Sequence, residues 1–526
     1  MNTDTVVSEF LKAAEQYPEN SAVEIGDQRI SYRELRDRAL RLASTIRENA
    51  GPEPTVVIFG NRSFSVYTAL IGVLIAGKGF VPLHIDFPAY RNTTIVSLSE
   101  ANVLVVCEEA LKDLAPILSQ VDRSLVIIGS DINEFGALPD HFPQHRFTAV
   151  DENAVTEGGL ISLHHLAYLL FTSGTTGSPK GVPISHRNLK SYLDEFRRLY
   201  PLAATDRASQ TFDLVFDLSV HDIFVTWLSG ACLCPVPRNA VIAPGRFIRD
   251  KRLTVWFSVP STAIFMKKLH MLNPASYPDL RMSLFCGEAL PVEVAQAWAQ
   301  AAPNSIVVNL YGPTEATISI THYPWDCDNP PPQTRTGLVP IGTPFPTQHA
   351  LVWNAERSCT VEGAGQGELL LGGSQVSDGY WRAPDLTHAA FTTVPSAVMP
   401  VYYRTGDLVE RDSEGCLHFL GRLDEQIKIH SYRVELVEVD AGLRKAAETE
   451  LAVAVAYPME RGVAKGLVGF VCAPDRQRER EIIEGCRKVL PPYMIPQRII
   501  FVDALPRNVN GKIDRKALVR SLESGR

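Results

Sequence analysis

Apolar residues recur at helical spacing from Val6 to Gln16 and then alternate with polar ones through Ala22-Val-Glu-Ile-Gly-Asp-Gln-Arg-Ile-Ser31. This pattern predicts an amphipathic helix followed by two strands around a Gly-Asp turn. Ser31 with Glu34 three residues on predicts a capped helix start. The apolar runs Thr55-Val-Val-Ile-Phe-Gly60 and Val103-Leu-Val-Val-Cys107 flank a helical stretch from Ser63 to Ala76. Strand and helix patterns in alternation imply crossover connections and a mainly parallel sheet. Phe80 to Pro88 reads as a proline-rich turn, and Phe212 to Phe224 as a further apolar segment.

Farther on, Ser283-Leu-Phe-Cys-Gly-Glu-Ala-Leu-Pro291 and Asn309-Leu-Tyr-Gly-Pro-Thr-Glu-Ala-Thr317 each end a predicted strand in a glycine turn. The carboxyl ends of parallel strands are where open sheets bind ligands. Asp326 to Pro346 is rich in Pro and Gly and marks a crossing into a β-rich subdomain carrying Gly367–Gly373 and Tyr402–Leu408. After Glu435 come about 90 residues with helix and strand signals, enough for a small domain. The expected architecture is α/β. Residues 1–423 form a large domain of mainly parallel sheets flanked by helices plus the β-rich subdomain, and residues 424–526 a small mobile α+β domain.

Composition narrows the function classes. At 526 residues the chain exceeds what one core supports, and 45% hydrophobic with 21% charged residues is ordinary for a globular enzyme. A net charge of −8 argues against a general nucleic-acid binder. Acidic residues near the N-terminus stand where an export leader needs basic ones. The most apolar stretch, Val66 to Ala76, is interrupted by Tyr67, Thr68 and Gly72 and is too short to cross a bilayer. Nine cysteines occur without a Cys-x-x-Cys pair, the usage of a reducing compartment. The expectation is a cytoplasmic protein without membrane or nucleic-acid partners.

The stretch most suggestive of chemistry is Leu169-Leu-Phe-Thr-Ser-Gly-Thr-Thr-Gly-Ser-Pro-Lys-Gly-Val182. Glycines let a backbone wrap closely around phosphate oxygens, while hydroxyls and a lysine supply donors. It is not the common P-loop, because Lys180 is followed by Gly181 rather than Ser or Thr. A polar turn has the same composition, so this stretch alone leaves both readings open.

Taken in order from about Ser31 to Lys516, these stretches resemble the adenylate-forming superfamily of acyl- and aryl-CoA synthetases, luciferases and nonribosomal peptide synthetase adenylation domains. Phe285-Cys-Gly-Glu and Tyr311-Gly-Pro-Thr-Glu-Ala-Thr are most similar to freestanding amino-acid ligases that load a carrier protein, D-alanine–carrier-protein ligases included. The resemblance implies ATP and Mg²⁺ as cofactors, with acyl-adenylate formation followed by transfer to a thiol. It implies that Thr172, Ser173, Gly174, Thr175, Thr176, Gly177 and Lys180 hold the departing phosphates. Thr314 would meet the α-phosphate and Glu315 the Mg²⁺. Gly287, Glu288, Ala289, Tyr311 and Gly312 would enclose the adenine, with Asn309 at its edge. Asp407 would accept the ribose hydroxyls beside Arg422. Lys512 matches the lysine that bridges the substrate carboxylate and α-phosphate, and Asp424 the hinge of the small domain. Ser431 departs from the usual glycine of this motif, which puts the thiol-side geometry in doubt.

The same resemblance makes Asp217 the partner of a substrate ammonium, a group that fatty and aryl acids lack, although Asp217 with Ser219 also suits a helix N-cap. Leu218, His221, Phe257 and Leu284 would line the side-chain pocket together with Cys286, Leu310, Ile318 and Ser319. Bulky apolar walls suggest a small neutral amino acid, alanine first, with serine, proline and valine as neighbours. His221 reads as a wall residue or as a contact to a polar substrate atom. No carrier or condensation motif is present, so the expected acceptor is a separate phosphopantetheinyl carrier protein, met by Arg433, Arg444, Lys445, Arg487 and Lys488. A CoA ligase using free CoA is the alternative. The exact amino acid, the pathway and the oligomeric state are not legible in the sequence.

Overall fold

Val6–Gln16 is a helix that buries Val6, Val7, Phe10, Ala13 and Ala14, the stripe its periodicity predicts. The strands Ser21–Ile25 and Gln28–Ser31 pair antiparallel. Ser31 then caps Tyr32–Asn49, its hydroxyl accepting from the Glu34 N–H while the Glu34 carboxylate accepts from the Ser31 N–H at 2.9 Å. The structure is a computed structural model and describes residues 4–151, 161–174, 178–241, 243–326, 337–356, 358–395, 397–423, 426–429, 432–460, 463–472, 479–506 and 513–524.

Among these residues the chain builds three larger sheets. The first has seven strands in the spatial order Arg146–Ala149, Val126–Ser130, Val103–Cys107, Thr55–Phe59, Gly79–Leu83, Leu166–Thr172 and Lys180–Ser185. The pairings from Arg146–Ala149 across to Leu166–Thr172 are parallel. Phe80 to Leu83 therefore belongs to a buried strand and not to the expected proline-rich turn. Pro82 aligns with Ile58 of the parallel neighbour on one side, and Phe80 aligns with Tyr168 on the other.

The second sheet has nine strands, in the order Thr343–Pro344, Thr321–Trp325, Ile306–Tyr311, Met282–Phe285, Val255–Ser258, Arg207–Gln210, Cys232–Pro235, Ser21–Ile25 and Gln28–Ser31. Its centre is parallel and its outer pairs antiparallel. The third sheet, six-stranded and antiparallel, contains His349–Asn354, Gly365–Gly372, Tyr402–Arg411 and Leu417–Arg422. It is the expected β-rich subdomain.

Two compact units divide the chain. One comprises Met1–Ile85, Val96–Leu170 and Gly181–Leu423, the other Asp86–Ile95, Phe171–Lys180 and Asp424–Arg526. In the smaller unit the strands Ala452–Ala456, Leu467–Val471 and Arg498–Phe501 form a sheet, and Leu436–Ala447 and Glu479–Arg487 are helices. Its core includes Val439, Leu443, Ile482, Leu490 and Met494. Among the described residues no helix is long and apolar enough to cross a membrane.

Candidate active site

Three neighbouring strands of the nine-stranded sheet carry the residues expected to form the pocket wall. Phe257 lies beside Leu284, Leu284 beside Val308, and Leu310 follows Val308 by two residues. Side chains on a strand alternate faces, so Phe257, Leu284 and Leu310 point the same way. They join a core with Leu218 and Cys286, while Trp256, Phe285 and Val307 belong to a second core on the opposite face. At the carboxyl ends of these strands the chain turns into the segments that hold Glu288 and Glu315.

Asp217 opens the helix Asp217–Trp227, whose N-cap is Phe216, with no side-chain cap bond. The capping reading fails, since the Ser219 hydroxyl donates to the Phe216 carbonyl at 2.6 Å. Asp217 is only 8% exposed, and its Oδ2 has no hydrogen-bond partner among the described residues. Burial pushes its carboxyl up to about 7, with the nearby Glu315 charge adding to the rise and the Thr314 hydroxyl and the Ile318 and Leu218 amides opposing it. An unpaired buried carboxylate is costly, and a cation brought to it would relieve the cost.

His221 is wall. Its Nδ1 lies 2.6 Å from the Tyr192 hydroxyl, and its ring meets Phe196 and Phe257 edge-on, each at 4.6 Å between centroids. Burial drives its pKa down to about 3, so the imidazole is neutral.

Asn309, Tyr311, Asp407 and Arg422 form a second group. Asn309 Nδ2 donates to the Pro340 carbonyl at 2.8 Å, leaving Oδ1 buried and without a partner among the described residues. That orphan acceptor suits an N–H donor such as an exocyclic amine. The hairpin register sets Asp407 opposite Arg422, whose Nη1 donates to Oδ1 at 2.5 Å, while the Tyr311 hydroxyl donates to Oδ2. A carboxylate has about four acceptor positions, so room remains for two hydroxyls. Glu288 Oε2 accepts from the Ser261 N–H at 2.8 Å, which ties the turn at Gly287, where φ is +90°, to the neighbouring helix Pro260–Lys268.

Glu315 is fully buried in the short turn Thr314–Ala316, and its Oε1 accepts from the Tyr380 hydroxyl at 2.7 Å. Immediately after it, Thr317 and Ile318 both adopt positive φ, 57° and 71°. For a β-branched residue this conformation is strained by about 1–3 kcal/mol, so surrounding bonds must hold it. Gln375 does so. Its Nε2 donates to the Ser319 carbonyl at 2.7 Å, and its own carbonyl accepts from the Thr317 hydroxyl. Gly312 packs under this turn, where a Cβ would stand 2.6 Å from Ser319 Cα and 2.9 Å from the Ile318 carbonyl.

In the smaller unit, Gly174 leaves no space for a side chain, because a Cβ would lie 2.0 Å from the Ser178 carbonyl oxygen. Ser173 and Lys180 are buried, and Thr172 Oγ1 is buried with no hydrogen-bond partner among the described residues. Thr175, Thr176, Gly177, Asp424, Ser431 and Lys512 lie outside the described residues. Of the basic residues expected to meet a partner, Arg487 pairs with Glu484 and Arg444 donates to the Ala452 carbonyl at 3.1 Å.

Among the described residues, Asp412, Cys416 and His418 form one group whose ligating atoms could hold a metal ion. Their hydrogen bonds account for the grouping. Asp412 accepts from the Glu414 and Cys416 amides at 3.0 and 2.9 Å and from His418 at 3.0 Å, closing the turn between two strands. Glu315 remains the carboxylate suited to a hard cation, which prefers oxygen ligands.

The structure thus brings Asp217, Thr314, Glu315 and Ile318 together, and separately Tyr311, Asp407 and Arg422. Sequence reasoning missed Tyr192, Tyr380 and Gln375. Tyr192 sits on the buried stripe of the helix His186–Leu199 and reads as core, while Tyr380 and Gln375 stand outside any motif.

Comparison with known proteins agrees with this geometry. The chain is 31% identical over 541 residues to the D-alanine–D-alanyl carrier protein ligase of Lacticaseibacillus rhamnosus, covering 98% of this chain and 99% of that one. It is 30% identical over 518 residues to tyrocidine synthase 3 of Brevibacillus parabrevis, covering 98% of this chain and only 8% of that protein. A solved structure of the Vibrio cholerae adenylation domain AlmE with glycyl-adenosine-5′-phosphate superposes with a TM-score of 0.89 at 32% identity, over 100% of this chain and 98% of that one. The AMP-binding enzyme family matches residues 10–381 and its C-terminal domain matches residues 438–512, so the chain belongs to the AMP-binding enzyme family.

Proposed function

We propose that the chain activates a small neutral amino acid and passes it to a carrier protein. The amino-acid carboxylate attacks the α-phosphorus of ATP, forming aminoacyl-AMP as pyrophosphate leaves. A phosphopantetheine thiol on a separate carrier then takes the acyl group and releases AMP. The observation that carries this reading is the buried Asp217 oxygen without a partner among the described residues, next in the chain to Leu218, which shares a core with Phe257, Leu284 and Leu310. An α-ammonium neutralises it, and an acid without an amine leaves the carboxylate unpaired.

The remaining roles follow from the donors each residue offers. Asn309 Oδ1 accepts from the adenine amine, and Asp407 takes the ribose hydroxyls while Arg422 and Tyr311 hold it in place. Glu315, fixed by Tyr380, would hold Mg²⁺, which would supply neutralising charge to the phosphate oxygens. Thr314 meets the α-phosphate, and Lys180 with the hydroxyls of residues 172–176 holds the pyrophosphate. Lys512 brings a point cation between the two anions that must approach to bonding distance. In this reading residues 1–423 bind ATP and amino acid, and residues 424–526 rotate about Asp424 with Lys512.

For the substrate, the glycyl complex of AlmE and the D-alanyl ligase support the smallest amino acids, so glycine stands beside alanine, ahead of serine, proline and valine. The D-alanyl ligase, matched over nearly its whole length, supports a carrier protein as acceptor, and the tyrocidine synthase relative a role in nonribosomal assembly. Amino-acid-dependent pyrophosphate exchange across a panel of acids tests the first half, with loading of a phosphopantetheinylated carrier against free CoA as its companion. Exchange peaking with an amine-free acid overturns the reading. Efficient turnover with free CoA and none with carriers favours a CoA ligase.

A further inference from the structure

Tyr192 lies on the helix His186–Leu199, which Ser185 and Asn188 cap in a reciprocal box. Its side chain is completely buried. It belongs to none of the strand ends or glycine turns that supply the pocket wall, yet its hydroxyl touches two wall residues. His221 Nδ1 is 2.6 Å away, and Ser319 Oγ approaches at 3.4 Å as donor. With the imidazole neutral, one direction satisfies every atom: Ser319 donates to the Tyr192 oxygen, and Tyr192 donates to Nδ1.

Three aromatic neighbours fix the ring as well. Phe196, His221 and Phe345 lie 6.0, 5.9 and 6.1 Å from it between centroids. Asp217 and Cys286 are close enough for their charges to oppose ionisation of the phenol, an effect added to that of burial. The phenol therefore sits within charge range of Asp217 and is bonded to His221 and Ser319. A ring locked by two hydrogen bonds and packed on three sides cannot swing aside for a longer substrate without breaking both bonds in a dry site.

We propose that Tyr192 is a specificity-determining residue: anchored by His221 and Ser319, it closes the far end of the side-chain pocket and confines the substrate to the size of glycine or alanine. This rests on the amino-acid-activation reading above. The device differs from a wall of aliphatic residues. Apolar walls discriminate against one extra methylene by about 10- to 200-fold, whereas a hydrogen-bonded plug also penalises displacement of its own bonds.

The experiment is pyrophosphate exchange by wild type, Tyr192→Ala and Tyr192→Phe with glycine, alanine, serine, valine, leucine, phenylalanine and propionate. Wild type should prefer glycine or alanine. Tyr192→Ala should raise kcat/KM for valine or leucine relative to alanine by at least about tenfold, chiefly through KM, and still reject propionate. Tyr192→Phe keeps the ring but not the bonds, and should relax the ranking less. A purely structural role would lower all amino acids in proportion. Folding is checked by circular dichroism, and Tyr192→Leu, with an intermediate volume, replaces a variant that fails to fold. A wild type that exchanges with no amino acid overturns the activation reading itself. A wild type active with glycine or alanine, beside a folded Tyr192→Ala or Tyr192→Leu of unchanged ranking, overturns Tyr192 alone.

Discussion

Replacing Asp217 by Asn removes a charge but barely changes shape, so it isolates the electrostatics of the pocket. The folded protein holds the Asp217 proton up to about pH 7, whereas an unperturbed carboxyl releases it near 3.8. Between these values the folded state binds more protons than the unfolded one, so stability falls as pH rises through the window. The interval is about three pH units, and at about 1.36 kcal/mol for each the full penalty above pH 7 is on the order of 4 kcal/mol. Asp217→Asn should therefore match wild type at pH 4 and become the more stable protein toward pH 8. Guanidinium unfolding of both proteins without substrate, from pH 4 to pH 8.5, measures this. Asp222 and Glu438, also raised by burial, cancel in the difference. The same variant should lose amino-acid-dependent exchange by on the order of 10² to 10³ in kcat/KM, because the ammonium loses its counter-charge. In wild type, amino-acid affinity should climb toward pH 7 and then level. Parallel stability curves for the two proteins, or undiminished exchange by the variant, would refute the reasoning.

Three other outcomes are expected. Lys512→Ala should slow adenylation by on the order of 10² to 10⁴ while transfer from a supplied aminoacyl-adenylate survives, which single-turnover assays of each half measure. Glu315→Gln should raise the Mg²⁺ concentration needed for half-maximal exchange, and Tyr380→Phe should do so more weakly because only the hydrogen bond that orients Glu315 is lost. Gln375→Ala removes the side-chain donor to the Ser319 carbonyl and keeps only the backbone carbonyl that accepts from the Thr317 hydroxyl, so the strained turn should relax, destabilising the protein by about 1–3 kcal/mol in denaturant unfolding and lowering exchange.

Local signals alone determined much of this protein. The capping box at Ser31 and Glu34 rests on bonds three residues apart, and the helix Val6–Gln16 and the strand Val103–Cys107 show in local apolar patterns, so periodicity and side-chain chemistry suffice to find them. The ordered motifs placed Asn309, Tyr311, Glu315 and Asp407 in candidate roles because each lies in a short stretch whose residue types its chemistry demands. Proline in the stretch Phe80–Pro88 argued for a turn, yet Phe80–Leu83 belongs to a buried strand held by parallel pairing with Thr55–Phe59, residues more than twenty positions away.

Long-range packing decided the rest. Tyr380 reaches Glu315 from 65 residues away, Gln375 clamps a turn 56 residues distant, and Tyr192 meets His221 across 29 and Ser319 across 127. No spacing in the chain encodes such pairs. Whether Asp217 is a cap or a bare buried carboxylate was equally beyond the sequence, since both begin a helix with the same residue. Only the fold, by burying Oδ2 and giving the Ser219 hydroxyl to Phe216, separates a carboxylate that water would stabilise from one that burial penalises.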